Sequence, residues 1–526
     1  MDFKIIGLFV RSVSFELTNS DCYHSRIPYD VELNGRKIAE NLNRNIFSLY
    51  DLRPNTEYRV TVSANGTAVS HAFTTKRESF RLNARDFGAA GDGVKQDTSA
   101  IQAAILCCPK NGTVLIPSGV YLTGPLFLKS DMTLELAEGA MLLGMTDRSV
   151  YPVLPGVTQS EDEREEYYLG SWEGNPLSSF ASLLNGIHVS NVDIVGPGII
   201  NANAAQGDWW RNPKVKRGAW RPRMLFLNGC EQIRVQGITL ENSYAWTVHP
   251  FYSKDVSLLD IRIYNDPDSP NTDGIDVEAC SGVKICGAVI SVGDDCVALK
   301  SSKIYMGSRL NTPTCGIVLR NCLLERGHGA VVIGSDVSAG ARSISATQCV
   351  FQGTDRGLRI KTRRGRGELS VVDRVSLENI WMDRVNTPFV VNMFYCCDPD
   401  GHSDYVSSKK PVPVNEFTPR VGNLSCRNIV CEHCSTAGVF LCGLPEMPIE
   451  SVSFRNVRIS FAADARAGYP AMMDGLEPVA KLGLFARNVK KLSLAGVTIE
   501  GFEGEKTDFA DIEELWEEES NGHGDN

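Results

Sequence analysis

The residues best equipped for chemistry fall in four short motifs that follow one another through a 526-residue chain. They are NTDGID (Asn271 to Asp276), GDDC (Gly293 to Cys296), GHG (Gly327 to Gly329) and RIK (Arg359 to Lys361). Asp273 and Asp295 are 22 residues apart, Asp295 and His328 are 33, and His328 and Arg359 are 31. Asp, Gly and Asn are ordinary turn residues, so each motif alone reads equally well as a corner of the fold. Their order and spacing say more. On successive coils of a solenoid they would stack at about 4.8 Å, which puts three carboxylates, an imidazole, a guanidinium and an ammonium on one strip. Stacked acids repel unless cations or a shared proton offset them, so the arrangement suits general acid–base catalysis better than structure.

A repeat supplies the coils. From about Val192 onward, apolar residues recur at offsets 0, 2, 5 and 7, as in Ile233, Val235, Ile238 and Leu240, or Val283, Ile285, Ala288 and Ile290. Nine copies end at Leu492, Leu494, Val497 and Ile499, at intervals of 23 to 49 residues. Each half of the pattern places two side chains on one face of a strand, and the extra residue between the halves marks a bend. This predicts a parallel β-helix, with loops in the longer coils. Cys426 and Cys431 fall on inward offsets, where cysteine acts as a small hydrophobe, so Cys431-Glu-His-Cys434 is not read as a zinc site. Because Asp294 and Asp295 are adjacent, a regular strand would point them apart; Gly293 predicts a bend that turns both outward.

The flanks read differently. Residues 1–78 show short alternating segments (VSFEL, YDVELNG, NIFSLYDL, YRVTVSA, AVSHAFTT), a small β-sandwich pattern, and Lys76 to Asn83 reads as a linker. Asp86 to Ile105 is turn-rich and then helical, with Ile101, Ala104 and Ile105 on one face, suited to covering the open end of a solenoid. The β-helix is expected over 79–502. Residues 503–526 carry ten acids against the single Lys506 and are expected to be a tail, disordered or a loosely docked helix.

That tail holds nearly all of the formal charge of −10, so the rest gives no basic footprint for nucleic acid. Hydrophobic residues make up 43% of the chain, yet no run approaches a membrane span. The start, MDFKIIGLFVRSVSFE, lacks the pattern of a cleaved signal, and sixteen cysteines, some vicinal (Cys107-Cys108, Cys396-Cys397), suit free thiols. A cytoplasmic location is expected, or secretion if a signal has been removed.

NTDG, DD, GHG and RIK in this order resemble glycoside hydrolase family 28, the polygalacturonases, as do the cap, ENSYAWTVHP (Glu241 to Pro250) and SWEG (Ser171 to Gly174). The likeness covers about residues 83–502. It implies an all-β protein, a right-handed parallel β-helix behind the small sandwich, acting on galacturonate oligosaccharides or pectin. It implies inverting hydrolysis of α-1,4-galacturonosidic bonds, with no cofactor or metal. Asp294 would protonate the leaving oxygen, Asp273 and Asp295 would activate water, and His328 would tune the acid. Asn271, Arg359 and Lys361 would bind substrate, the two cations at a galacturonate carboxylate. LRPNTEYRVTV (Leu52 to Val62), with Tyr58 at a tyrosine corner, resembles fibronectin type III.

Two basic clusters are candidate uronate subsites: Arg363, Arg364 and Arg366, and Arg211, Lys214, Lys216, Arg217, Arg221 and Arg223 with Trp209, Trp210 and Trp220. Phe394 and Tyr395 could add a stacking face. Exo-action is expected, with the loops Met145 to Asn185 and Ala204 to Arg223 walling one end of the cleft. Alternatives are a rhamnogalacturonan or xylogalacturonan hydrolase, a calcium-dependent pectate lyase, and a non-catalytic polysaccharide-binding β-helix. The oligomeric state is left open.

Overall fold

The computed structural model describes residues 2–159 and 166–518. Its main body is a parallel β-helix in which each strand pairs with its counterpart one coil on. A typical coil runs Glu231–Gln236, Thr239–Glu241, Val248–Phe251, and the next runs Lys254–Leu259, Arg262–Tyr264, Ile275–Glu278 in register beneath it. The repeat positions are the core: Ile233, Ile261, Ile285, Cys322, Cys349, Ile429 and Cys431 are all essentially inaccessible. Burying such side chains contributes roughly 1.5–3 kcal/mol each.

The bend at offset 4 is a left-handed residue in coil after coil: Gly237, Asp260, Gly287, Asn321, Gln348, Asn379, Asn428, Asn456 and Gly496 all have φ between 53° and 79°. Glycine, Asn and Asp tolerate that conformation best, so their recurrence is steric in origin. The asparagines also bond along the axis, Asn456 Nδ2 to Asn428 Oδ1 at 3.1 Å and Asn428 Nδ2 to Asn379 Oδ1 at 3.2 Å.

The helix Thr98–Cys107 buries Ile101, Ala104 and Ile105 over the first coils, as the spacing predicts. Ahead of it, seven strands form two antiparallel sheets of three and four, whose inner faces share Phe15, Phe47, Tyr29, Val31, Val60 and Phe73. This sandwich is docked, not tethered. Glu16 accepts from Arg320 and Asn321, Arg44 and Ser48 both donate to Asp260, and Asn45 donates to Asn321 at 2.9 Å. The corner residues nearest the sandwich are thus satisfied by it, while those farther along satisfy one another.

Two expectations about the flanks need correction. The linker Lys76 to Asn83 is engaged: Glu78 pairs with Arg11, and Arg81–Asn83 is the first strand of the solenoid. The acidic segment holds a strand, Thr507–Glu518, which pairs in parallel with Leu482–Glu500. Phe509 and Ile512 lean on the core, while the acids are exposed, as are Leu515 and Trp516 in the second half of the strand. The remainder of the expected tail, 519–526, lies outside the described residues.

Candidate active site

Each coil contributes a third strand, and these line up as Val248–Phe251, Ile275–Glu278, Asp295–Lys300, Gly329–Gly334, Arg356–Lys361 and Thr387–Asn392. The four motifs sit on this strip. Asp295 pairs with Gly329, and Arg359 and Lys361 lie one coil further, beside Val332 and Gly334. Asp294 lies in a bend at Gly293 and Asp295 opens the strand, as the doublet requires. The bend needs glycine, because a Cβ at position 293 would lie 2.4 Å from the Ser269 carbonyl. At Gly329 a Cβ would crowd the Val332 side chain and sit 3.4 Å from Asp295 Oδ1.

The carboxylates converge: one oxygen each of Asp273, Asp294 and Asp295 lies within 4.8 Å of the others. Their surroundings differ. Asp295 is buried, with Lys361 Nζ donating to Oδ2 at 2.8 Å and Arg359 Nη1 to Oδ1 at 3.2 Å. Burial alone would raise its pKa, but Lys361 and then Arg359 overcome this and hold it far below the usual carboxylate range. Asp273, also buried, moves the other way, driven by burial and then by the charges of Asp276 and Asp294, against the opposing pull of Lys300. Its Oδ1 has no hydrogen-bond partner among the described residues. Asp294 is only half-buried. The strip therefore holds a fixed anion, an acid with a raised pKa and a partly exposed carboxyl. That combination can both give and take a proton.

The other sequence-derived residues are placed as follows. His328 is exposed; its backbone N–H donates to the Asp294 carbonyl at 2.9 Å, and among the described residues no hydrogen bond joins its ring to the acids. Asn271 adopts φ 55° and its Oδ1 accepts from Arg221 Nη2 at 2.6 Å. Arg221 also donates to the carbonyls of Tyr244 and Pro270, so it props the turn carrying Asp273. Arg221 and Arg223 are buried, which makes them supports, not subsite surface. The same correction holds for Arg363, Arg364 and Arg366, buried on Asp398, Asp400 and Glu446. Phe394 is buried and offers no stacking face, whereas Tyr395 stays half-buried with the Lys361 ammonium 5.6 Å from its ring centre.

Sequence reasoning missed the ground behind the acids. Lys300 lies 2.8 Å from Asp276 and 3.9 Å from Asp273, with its ammonium 3.5 Å from the centre of the Trp246 ring. His249 shares a 3.0 Å hydrogen bond with Glu278. A lysine ending the apolar run VALK, and the second Asp of NTDGID, were the available signals: charges on a buried strand need partners. The expected wall loops do meet one another, with Trp220 stacked on Trp172 at 4.9 Å and the Ser178 carbonyl accepting from the Trp220 N–H. Residues 160–165 of the first loop lie outside the described residues.

Comparison with known proteins gives the same assignment. Residues 115–467 match the family model described as glycosyl hydrolases family 28. The chain is 32% identical over 389 residues to a "Probable polygalacturonase" of Vitis vinifera, covering 72% of this chain and 74% of that one. It is 28% identical over 427 residues to an "Exo-poly-alpha-D-galacturonosidase" of Dickeya chrysanthemi, covering 70% and 67%. The structure of a family 28 exopolygalacturonase of Yersinia enterocolitica superposes with a TM-score of 0.72 at 20% identity, over 98% of both chains. At that identity the likeness speaks for the fold, here sandwich and β-helix together.

Proposed function

This chain belongs to glycosyl hydrolases family 28, and from that premise we propose that it hydrolyses α-1,4-galacturonosidic bonds of homogalacturonan or its oligomers with inversion, acting from a chain end. The observation that carries the reading is the convergence of Asp273, Asp294 and Asp295 beside Lys361 and Arg359. Asp294, the half-buried acid, gives its proton to the departing glycosidic oxygen as the C–O bond breaks. Water attacks the anomeric carbon from the opposite face and loses its proton to the Asp273–Asp295 pair. Oxygen separations under 4.8 Å are shorter than the roughly 6.5–9.5 Å typical of inverting pairs, so inversion rests on the family likeness.

Arg359 and Lys361 bind the uronate carboxylate while holding Asp295. Among the described residues Lys361 makes one of the three hydrogen bonds its ammonium can donate, so a second acceptor fits. Relatives with exo-acting names and the Trp172–Trp220 contact between the two long loops support a closed cleft end. The sandwich supports a fibronectin type III reading: its sheet order and the 2.8 Å bond from the Arg53 N–H to Tyr58 Oη fit a tyrosine corner. The sixteen thiols, all unpaired, support a reducing compartment, and we place the enzyme in the cytoplasm, handling pectin fragments. Fractionating the cells tests the location; enzyme recovered outside the cytoplasm refutes it. Incubation with a long galacturonate oligomer, followed by chromatography and proton NMR, tests the activity. Early monomer or dimer with a β-anomer burst is expected; mid-length fragments overturn exo-action, an α-anomer overturns inversion, and no reducing ends overturn the function.

A further inference from the structure

Lys300 closes the strand Asp295–Lys300, yet its side chain turns back under the acids and is 5% exposed. Three contacts fix it: Asp276 Oδ1 at 2.8 Å, Asp273 Oδ2 at 3.9 Å and the face of Trp246 at 3.5 Å. Trp246 is itself held. Arg223 lies 4.5 Å from its ring centre, Trp172 stacks at 6.4 Å and 10°, and His249 meets it edge-on at 4.9 Å. An ammonium packed on a fixed aromatic face between two buried carboxylates has little room to move.

The charges facing this corner come from several coils. Asp273 meets Asp276 on its own segment, Asp294, Asp295 and Lys300 on the next coil, and Arg221 across the NTDG turn. Lys300 meets Asp276, Asp273, Glu278 and Asp336 and bears more weakly on Asp295, while Arg223 bears on Asp276, Glu278 and Asp273. His249, fully buried, is held neutral by burial and then by Arg223 and Lys300. Lys361 and Arg359 are engaged with Asp295. Of the catalytic acids, Asp273 is therefore the one whose principal cation is Lys300.

We propose that Lys300 is a positioning residue for the hydrolytic reaction: seated on Asp276 and Trp246, it orients the Asp273 carboxylate and offsets its charge, so that Asp273 can accept the proton of the attacking water. This rests on the hydrolase reading above, and Lys300 acts through Asp273 without touching substrate. Of the charges facing Asp273, Lys300 and Asp276 act on it oppositely, since Lys300 favours its ionised form and Asp276 disfavours it. Lys300→Met should therefore move the acidic limb of the kcat/KM profile to higher pH, by about one unit for a charge at this range. Burial pushes Asp276 up to about 7 against the pull of Lys300; Asp276→Asn frees Lys300 for Asp273 and, where Asp276 is ionised, removes a repelling charge, so it should move the same limb to lower pH.

Two measurements decide it. The first is the pH profile on a galacturonate oligomer for wild type and both variants; shifts of opposite sign with KM within about twofold are expected. A limb that stays in place in Asp276→Asn, shifts of the same sign, or a raised KM with an unmoved limb in Lys300→Met overturns the proposal, the last by making Lys300 a substrate contact. The second does not need turnover: isotope-edited infrared spectra of aspartate-labelled protein, with Asp273→Asn subtracted, follow the Asp273 carboxyl band through pH. If wild type fails to cleave the oligomer, the functional reading falls, and the infrared titration still tests the link between Lys300 and Asp273. Should Lys300→Met not fold, the isosteric Asp276→Asn carries both measurements.

Discussion

The ammonium of Lys361 lies 2.8 Å from Asp295 Oδ2, and Arg359 closes on Oδ1 of the same carboxylate at 3.2 Å. The RIK motif thus serves the catalytic acid as directly as it can serve a substrate. Lys361→Met removes a charge that favours ionised Asp295 and a hydrogen bond that orients it, so the Asp295 pKa rises and the carboxylate loses its fixed position. A kcat loss of roughly 10²-fold or more is expected with a weaker KM, because base and bound ring are both disturbed. On a methyl-esterified oligomer the variant should keep the kcat loss and be spared most of the KM loss. A change in KM alone, with kcat retained, would show that Lys361 serves only the substrate.

Glu16 of the sandwich accepts two bonds from Arg320 and one from Asn321 of the β-helix, and is 2% exposed. Glu16→Ala leaves the buried Asn321 amide and the partly exposed Arg320 guanidinium without their acceptor, a change that costs about 1–3 kcal/mol. A clear fall in Tm with kcat/KM preserved is expected, since the site lies on other strands. Calorimetry that shows an unchanged Tm would mean the sandwich is not coupled to the solenoid through this contact.

Two of the three strands in each coil are legible in the sequence and the third is not, for a physical reason. Offsets 0, 2, 5 and 7 alternate between core and solvent, so Ile233 and Val235, then Ile238 and Leu240, announce themselves. Asp295–Lys300, Gly329–Gly334 and Thr387–Asn392 are buried at every position, inside by the core and outside by the site, and show no period. The acids were found by motif. Their control was missed, because nothing local to Lys300 shows that it meets Trp246 and Asp273. The arginines at 363, 364 and 366 misled for the converse reason: Asp398 and Glu446, which bury them, lie 32 or more residues away.

The strand Thr507–Glu518 covers the ladder edge of Leu482–Glu500, and Leu484 pairs with Thr507 as Leu494 pairs with Glu517. Truncation after Phe502 would expose that edge together with Leu484, Val489 and Leu492, an open strand of the kind that recruits other chains. Lower Tm and concentration-dependent aggregation by light scattering are expected. Deleting only Glu517 to Asn526 removes one end of the strand, and turnover should stay within about twofold because the site lies coils away. An unaltered Tm after the longer truncation would refute a capping role.

Asp294 and Asp273 share one strip but face different tasks, and the leaving group separates them. Asp294 is half-buried, exposed enough for a glycosidic oxygen to reach it, whereas Asp273 is 3% exposed. A sugar leaving group departs as a poor anion unless protonated, so Asp294→Asn should cut kcat by about 10²–10⁴ on a galacturonate oligomer with KM little changed. An aryl galacturonide with an acidic phenol needs no such proton, and on it the variant should recover most of the loss. Asp273→Asn removes a base that both substrates require, so its loss should be similar on the two. Those paired rate ratios assign the roles without reference to absolute activity. If Asp273→Asn is the variant rescued by the acidic phenol and Asp294→Asn is not, donor and base exchange places, in keeping with the raised pKa of Asp273.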